Sequence, residues 1–184
     1  MKKALSIILL VTGLTAFAQE VKLEDNSSVN WVTIEEAIRQ VENGENTKTI
    51  IIDAYTDWCG WCKRMDATTF KHPEVVKTLN ESFLAVKFDA EAKRDIEFRG
   101  NTLKYVASGR KGYHELAAAL LQGKLSYPTL VFLNENFEMI QPIGGYRTGD
   151  QLLPIIKFLG EKHYLSTSWK KFSKEYQANT EDGK

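Results

Sequence analysis

The sequence predicts an α/β fold in which helices flank a central β-sheet. Apolar, β-rich runs alternate along the chain with amphipathic stretches, which is typical of strands joined by helices. The 184 residues are enough for one ordinary domain with a hydrophobic core. Two cysteines, separated by two residues, directly follow one of the predicted strands and open a predicted helix.

The composition is that of a globular protein without a charge excess. Lysines and arginines number 24, as do aspartates and glutamates, so the charge gives no indication of nucleic-acid binding. Hydrophobic residues make up 43% and aromatic residues 11% of the chain, shares that favour a folded over a disordered protein.

Residues 1–18 are predicted to be a signal peptide. Lys2 and Lys3 precede an apolar run from residue 4 to about residue 14, and an Ala-Phe-Ala cleavage site ends at Ala18. The run is shorter than the roughly 20 apolar residues that a membrane-spanning helix needs. We expect cleavage after Ala18 and export of a periplasmic or secreted protein without a later membrane span. An uncleaved N-terminal anchor is the alternative.

The mature chain is expected to begin with a flexible lead-in over residues 19–30, followed by one domain over residues 31–184. The first helix of this domain is predicted to begin after Thr33, whose hydroxyl forms a capping box with Glu36. Gly44 is predicted to end that helix, because glycine readily adopts the left-handed conformation found there.

Two strands, with helices between them, are predicted in the next part of the chain. Residues 48–57 form an apolar, β-rich run that fits a buried central strand. One helix is predicted to open at the cysteine pair. A second is predicted to begin near Pro73, since proline is tolerated in a first helical turn. Residues 83–91 have the pattern of another strand.

An insertion over residues 90–124 is predicted to add a hairpin and a helix. Gly100 and Asn101 lie between short apolar runs, which indicates a hairpin turn. Residues 113–122 have the period of an amphipathic helix. Its apolar face consists of Leu116, Ala119 and Leu120.

The last third of the chain is predicted to contain two strands and two helices. Residues 127–146 have the pattern of two strands joined by a turn at residues 135–136. An amphipathic helix is predicted over residues 148–164, and an extra C-terminal helix over residues 166–178. The aromatic stripe of that last helix is expected to dock onto the domain, with a partner surface as the alternative. The stripe consists of Trp169, Phe172 and Tyr176.

Cys59 and Cys62 are the only cysteines, and three uses are open to them. A disulfide between them closes so short a loop that it removes little entropy from the unfolded chain, which disfavours a structural staple. A zinc site needs about four ligands, and the histidines are scattered along the sequence. They are His72, expected to cap a helix, His114, expected on the surface of the inserted helix, and His163. Thiol–disulfide exchange is the favoured use.

Exchange needs a thiolate that attacks a disulfide and a second thiol that resolves the mixed disulfide. Cys59 lies at the predicted N-terminus of a helix, where backbone N–H groups and the helix dipole favour an anion. We therefore predict that Cys59 is the nucleophile and the more exposed thiol, and that Cys62 is the shielded, resolving thiol. Lys63 and Arg64 are candidates for lowering the pKa of Cys59 through their positive charge.

The run DAYTDWCGWCK, residues 53–63, resembles the active site of the thioredoxin superfamily. Asp53 stands where thioredoxins carry a buried aspartate, and Trp58 matches the tryptophan that precedes the cysteine pair. The run SYPT resembles the cis-proline loop of the family, with Pro128 as the cis residue. Residues 57–91 look closer to exported thioredoxin-like proteins similar to the C-terminal domain of DsbD.

The resemblance covers roughly Val32 to Gly160 and implies a thioredoxin-like fold with a central mixed β-sheet. The inserted hairpin and helix depart from the family pattern, as does the extra C-terminal helix. The dipeptide between the cysteines departs as well, because typical thioredoxins have Gly-Pro where this chain has Gly60-Trp61.

Further site residues are predicted partly from the resemblance and partly from their positions in the sequence. Asp53 is expected to accept the proton of Cys62, with a strand-end cap as the alternative. Lys87 is expected to bias that proton, with a solvated strand-edge lysine as the alternative. The residues expected to contact substrate are Trp58, Trp61, Tyr127, Pro128, Gly144 and Gly145. For the two tryptophans, packing in the core or shielding of the disulfide is the alternative.

The sequence therefore predicts an exported thiol:disulfide oxidoreductase that acts on protein substrates through its own cysteine pair, without a bound cofactor or metal. A reductase or isomerase is favoured over a strong oxidant, since no histidine stands between the cysteines to stabilise the thiolate. A transmembrane thiol carrier is the expected electron donor. A binding module with the same fold and a metal carrier that uses the two cysteines remain alternatives.

Overall fold

The computed structural model describes residues 27–109 and 111–181, so the predicted signal peptide and most of the lead-in lie outside the described residues. The helices are α1 (Ile34–Glu42), α2 (Gly60–Ala67), α3 (Pro73–Ser82), α4 (Glu115–Leu120), α5 (Gly149–Gly160) and α6 (Trp169–Glu181). The strands are β1 (Thr49–Tyr55), β2 (Phe83–Asp89), β3 (Ile96–Phe98), β4 (Asn101–Leu103), β5 (Tyr105–Ser108), β6 (Lys111–His114), β7 (Thr129–Leu133) and β8 (Met139–Gly144). Short 3-10 turns occupy Thr69–Lys71 and His163–Leu165.

A mixed sheet forms the centre of the fold, as predicted. Its strand order is β2-β1-β7-β8, in which β1 and β2 are parallel while β7 and β8 run antiparallel to their neighbours. Successive side chains of a strand point to opposite faces, so each face of β1 carries part of the apolar core. Ile50 and Ile52 pack with α1 and α4, and Ile51 packs with α2, α3 and α5.

Local sequence signals set the ends of two helices. The hydroxyl of Thr33 accepts a hydrogen bond from the Glu36 backbone N–H at 3.2 Å, which caps α1 as predicted. The second half of the predicted capping box is not formed, because the Glu36 carboxylate binds Arg39. His72 occupies the cap position of α3, but its side chain makes no capping hydrogen bond, contrary to expectation. Pro73 is the first residue of α3, as predicted.

The inserted segment contains two hairpins, whereas the sequence analysis expected one. Strands β3 and β4 form the predicted hairpin, although its turn lies at Arg99 and Gly100, which both have positive φ angles. Strands β5 and β6 form a second hairpin immediately after it. Residues 111–114 are therefore paired as a strand, and α4 is shorter than the predicted helix over residues 113–122.

The buried face of α4 also differs from the predicted one. Leu116 and Leu120 are buried as expected, but Ala119 is exposed and Ala117 is buried in its place. The buried residues of α4 share one apolar cluster with residues of α1 and of the β3–β4 hairpin, and this cluster includes Ala117 but not Ala119.

His114 is fully buried, so the expectation that it lies on the surface was wrong. Its backbone N–H donates to the Ala90 carbonyl at 2.7 Å. Its ring Nδ1 accepts from the Leu116 backbone N–H at 3.1 Å and thereby caps α4. Its Nε2 lies 3.1 Å from the Arg94 carbonyl, an acceptor, so Nε2 carries the proton. One imidazole thus joins the start of α4 to the loop after β2.

We expect His114→Leu to lower the free energy of unfolding by about 2–4 kcal/mol, because it leaves the buried Leu116 N–H and the partly buried Arg94 carbonyl without their partner. Urea unfolding followed by circular dichroism measures the change. His114→Asn is the matched control, because a short amide can still cap α4. It should recover part of the loss, and equal stability of His114→Leu and the unmodified protein would contradict the prediction.

The C-terminal helix packs its aromatic stripe onto α5, as predicted, although it spans Trp169–Glu181 and not residues 166–178. The ring of Phe172 lies 5.2 Å from that of Phe158, and the ring of Trp169 lies 5.4 Å from the same partner. Among residues 27–109 and 111–181, no helix combines the length and apolar character needed to cross a bilayer.

Candidate functional site

The cysteine pair lies where β1 meets α2. Strand β1 ends at Tyr55, and Cys59 is the residue that caps the N-terminus of α2. Its sulfur accepts a hydrogen bond from the Cys62 backbone N–H at 3.1 Å. The two cysteines form a disulfide with an S–S distance of 2.13 Å. The prediction that Cys59 opens a helix is confirmed.

The solvent exposure of the two cysteines differs less than predicted. Cys59 is 4% exposed and Cys62 is 2% exposed, so both are buried while the disulfide is formed. Lys63 and Arg64 follow on the exposed side of α2, and its first turn contains no acidic residue. The Cys59 sulfur therefore lies at the positive end of a helix that has two exposed cationic residues in its first turns.

Asp53 is 1% exposed and lies within β1, not at its end, which removes the strand-end cap as its explanation. It is paired with Lys87 in the register of β1 and β2. The ammonium of Lys87 donates to the Asp53 carboxylate at 2.5 Å and also to Asp66. Lys87 is thus the partner of Asp53 and not a solvated strand-edge residue.

Burial raises the pKa of Asp53, and the nearby Asp66 carboxylate adds to this effect, while the charge of Lys87 opposes it. Burial lowers the pKa of Lys87, but the two carboxylates outweigh burial, so that the pKa of Lys87 is raised. The site therefore contains a buried acid with a raised pKa beside a lysine that stays protonated.

Sequence reasoning missed Asp66, which lies four residues after Cys62 on the same face of α2. That spacing is the signal that could have identified it. It also missed the three aromatic rings around the Lys87 ammonium, whose centroids lie 5.1–5.2 Å away, because they come from three separate segments. These rings belong to Trp31, Tyr55 and Phe70.

The loop before β7 carries the proline that the sequence singled out. The Tyr127–Pro128 peptide bond is cis, as predicted. The Pro128 carbonyl accepts a hydrogen bond from the Gly145 backbone N–H at 2.8 Å, which joins this loop to the end of β8. Gly145 has a φ of +89°, a conformation that favours glycine, whereas Gly144 pairs with Thr129 inside the sheet.

Both tryptophans of the motif are exposed and are not core residues. Trp58 is 52% exposed and Trp61 is 58% exposed. The Trp58 ring packs edge-on against Tyr127, with 6.0 Å between centroids, and its Nε1 donates to Glu91 at 2.9 Å. The ammonium of Lys111, at the start of β6, lies 3.3 Å from the centroid of the same ring. The unpredicted second hairpin therefore contributes directly to the site.

Comparison with known families gives one match over most of the chain. A family model named Thioredox_DsbH, described as a protein of unknown function, DUF255, matches residues 18–182.

Two curated relatives and two solved structures illustrate the similarity. An uncharacterized protein of Caenorhabditis elegans, B0495.5, is 25% identical over 147 residues, which are 79% of this chain and 18% of that protein. The thiol:disulfide interchange protein DsbD of Photorhabdus laumondii is 34% identical over 55 residues, which are 30% of this chain and 9% of DsbD. This chain thus spans less than a fifth of the length of these curated relatives.

A thioredoxin-fold protein from Helicobacter pylori superposes with a TM-score of 0.53 at 18% identity, covering 78% of this chain and 94% of its own. A structure described as DsbH oxidoreductase superposes with a TM-score of 0.50, also at 18% identity, covering 82% of this chain and 95% of its own. At this level of identity the superpositions establish the thioredoxin fold.

Proposed function

This chain belongs to the Thioredox_DsbH (DUF255) family of thioredoxin-like proteins, and we propose that it is an exported thiol:disulfide oxidoreductase that works mainly as a reductase or isomerase. One observation carries the proposal. The Cys59 sulfur caps the N-terminus of α2 and accepts the Cys62 amide N–H, a hydrogen bond that also stabilises a thiolate after reduction.

The proposed reaction begins with the reduced pair. The Cys59 thiolate attacks one sulfur of a substrate disulfide, the substrate S–S bond breaks, and the released substrate thiolate takes up a proton. The products are a mixed disulfide on Cys59 and one substrate thiol. An extended substrate segment is proposed to pair with the Tyr127 backbone beside Pro128, in contact with Trp58, Trp61 and the two glycines at the end of β8.

The second step regenerates the disulfide seen in the structure. Cys62 gives its proton to Asp53 and attacks the Cys59 sulfur, so the mixed disulfide breaks and the second substrate thiol leaves after protonation. Two electrons pass from the cysteine pair to the substrate, and the reaction needs no bound cofactor or metal. Lys87 holds the Asp53 carboxylate in place and stabilises its ionised form.

The direction of electron flow follows from the residues between the cysteines. Strong oxidants stabilise the reduced thiolate far beyond the disulfide, and neither Gly60 nor Trp61 has an ionisable side chain that does this. A reductase outside the cytoplasm must be reduced again by a donor, which we propose to be a transmembrane thiol carrier. The signal peptide proposed for residues 1–18 directs the protein to such a compartment.

Equilibration with glutathione buffers tests this direction. We expect a midpoint potential between about −200 and −270 mV for the Cys59–Cys62 pair, the range of thioredoxin and glutaredoxins. A midpoint near about −120 mV, the value of a strong oxidant, would reverse the assignment. Reduction of insulin with dithiothreitol, run in parallel, separates a catalyst from a binding module. Metal analysis of the purified protein tests the metal-carrier alternative.

A further inference from the structure

A compact group of side chains, here called the Trp61 shelf, forms one side of the site. It consists of Trp61, Arg64, Tyr146 and Arg147. The Arg64 guanidinium lies 5.8 Å from the centroid of the Trp61 ring and 5.8 Å from that of Tyr146. The two rings lie 5.3 Å apart, and the Tyr146 hydroxyl is 3.3 Å from the hydroxyl of Thr68.

The second cation of the shelf is held close to the cis-proline loop. The Arg147 guanidinium donates to the Tyr146 carbonyl at 3.0 Å and lies 3.4 Å from the Gly145 carbonyl oxygen. Gly145 in turn donates to the Pro128 carbonyl at 2.8 Å. The Arg147 backbone is anchored from the other side, because the Thr69 hydroxyl donates to its carbonyl at 2.5 Å.

The guanidinium groups of Arg64 and Arg147 have no acidic partner among the described residues, in contrast to those of Arg39 and Arg94; Arg99 also lacks one, but its guanidinium donates to the Asn136 carbonyl. Arg39 is paired with Glu36 and Glu45, and Arg94 is paired with Glu35. Within residues 27–109 and 111–181, no carboxylate lies within 4.0 Å of a nitrogen of Arg64 or Arg147. In the described part of the chain, two cations beside the exposed Trp61 ring and the half-buried Tyr146 ring thus have no carboxylate partner of their own.

The opposite side of the site has a different charge pattern. There the Trp58 ring carries the Lys111 ammonium over its face and Glu91 at its edge, so a cation and an anion lie on the same ring. Of these two groups, the one around Trp61 thus has two cations and no carboxylate within 4.0 Å of them among the described residues.

We propose that the Trp61 shelf recognises acidic side chains next to the disulfide of a protein substrate. The inference rests on the proposed function and adds the substrate class to it. The charge complementarity is specific: guanidinium groups bind carboxylates through paired N–H donors, and the exposed Trp61 ring supplies apolar contact for the neighbouring backbone. Such charge complementarity mainly accelerates the encounter with acidic substrates and disfavours the encounter with basic substrates.

The test compares three synthetic peptides that contain the same disulfide ring and differ only in flanking residues, which are glutamates, glutamines or lysines. The second-order rate constant for oxidation of the reduced full-length protein is measured with each peptide. We expect the glutamate peptide to react about tenfold faster than the lysine peptide at low ionic strength, and the ratio to shrink as salt screens the charges.

Arg64→Gln combined with Arg147→Gln should reduce the glutamate-to-lysine ratio to about twofold or less. The ratio is compared within each protein, so a change in Cys59 reactivity that affects all peptides equally cancels. Arg39→Gln is the matched control, since it removes the same charge from α1, and it should keep the full ratio. A ratio that persists in the double variant, or that falls equally in the control, would overturn the assignment.

The outcomes separate this inference from the proposed function. Equal rates for the three peptides with the unmodified protein would refute acidic recognition while leaving the oxidoreductase proposal intact. Failure to reduce any peptide, including the glutamine one, would refute both. A salt-dependent preference for glutamate that is lost only in the double variant supports the shelf.

Discussion

Cys62→Ala should abolish turnover and leave the protein covalently joined to its partners through Cys59. Without the resolving thiol, the mixed disulfide that forms in the first step cannot be released. Catalytic reduction of insulin should fall to the level of a variant without either cysteine. Non-reducing electrophoresis of the protein recovered from cells should show adducts that dithiothreitol removes, and mass spectrometry of the adducts identifies the substrates.

The matched variant is Cys59→Ala, which keeps Cys62 and removes the proposed nucleophile. It should be equally inactive but should accumulate few adducts, because Cys62 lies inside the first turn of α2 and lacks the helix-capping hydrogen bond that stabilises a thiolate at Cys59. If Cys59→Ala accumulated the adducts and Cys62→Ala did not, the two cysteines would have the opposite roles. Absence of adducts in both variants would indicate a binding module.

Asp53→Asn should slow resolution of the mixed disulfide by about 10²-fold while leaving its formation nearly unchanged. Only resolution requires the proton of Cys62 to be removed, and an amide cannot accept it. A carboxylate accepts a proton only when it is ionised, so the resolution rate rises with pH through the pKa of Asp53. Because burial raises that pKa above its ordinary 3.8, the rise occurs at a higher pH than for an exposed aspartate.

Stopped-flow measurement of single turnovers with a peptide disulfide separates the two steps. The rise of the resolution rate with pH should disappear in Asp53→Asn. It should remain in Asp57→Asn, which changes an exposed aspartate next to Trp58 in the sequence. Lys87→Met should shift the rise of the resolution rate to higher pH, since it removes the positive charge that lowers the pKa of Asp53 against the effect of burial. An unchanged profile in Asp53→Asn would show that another group takes the proton.

Several features of this protein were determined by short stretches of sequence. The helix cap at Thr33 and the start of α3 at Pro73 depend on the conformational and hydrogen-bonding preferences of one or two residues. The buried central strand followed by a helix that opens at Cys59 depends on a local apolar run and its boundary. The cis bond before Pro128 was predicted because the four-residue run SYPT resembles the cis-proline loop of thioredoxins. Such a motif can be identified from sequence without knowing the rest of the fold.

Other features depend on residues that are distant in sequence and were decided by the tertiary structure. His114 was expected at the surface because its neighbours form an amphipathic pattern, yet contacts with Ala90 and Arg94 bury it. The pairing of β5 with β6 shortened α4, since backbone groups paired in a ladder cannot also begin a helix. In each case a long-range contact outweighed a weak local preference.

The residues of the candidate site also fall into those predicted from a local motif and those placed by the tertiary structure. The cysteines and Asp53 belong to one continuous motif and were identified from it. Lys87 reaches Asp53 only because β1 and β2 are parallel and in register, and Lys111 reaches Trp58 only because the second hairpin packs next to that ring. A linear pattern specifies which residues can carry out the chemistry, but strand register and hairpin packing decide which charges surround them.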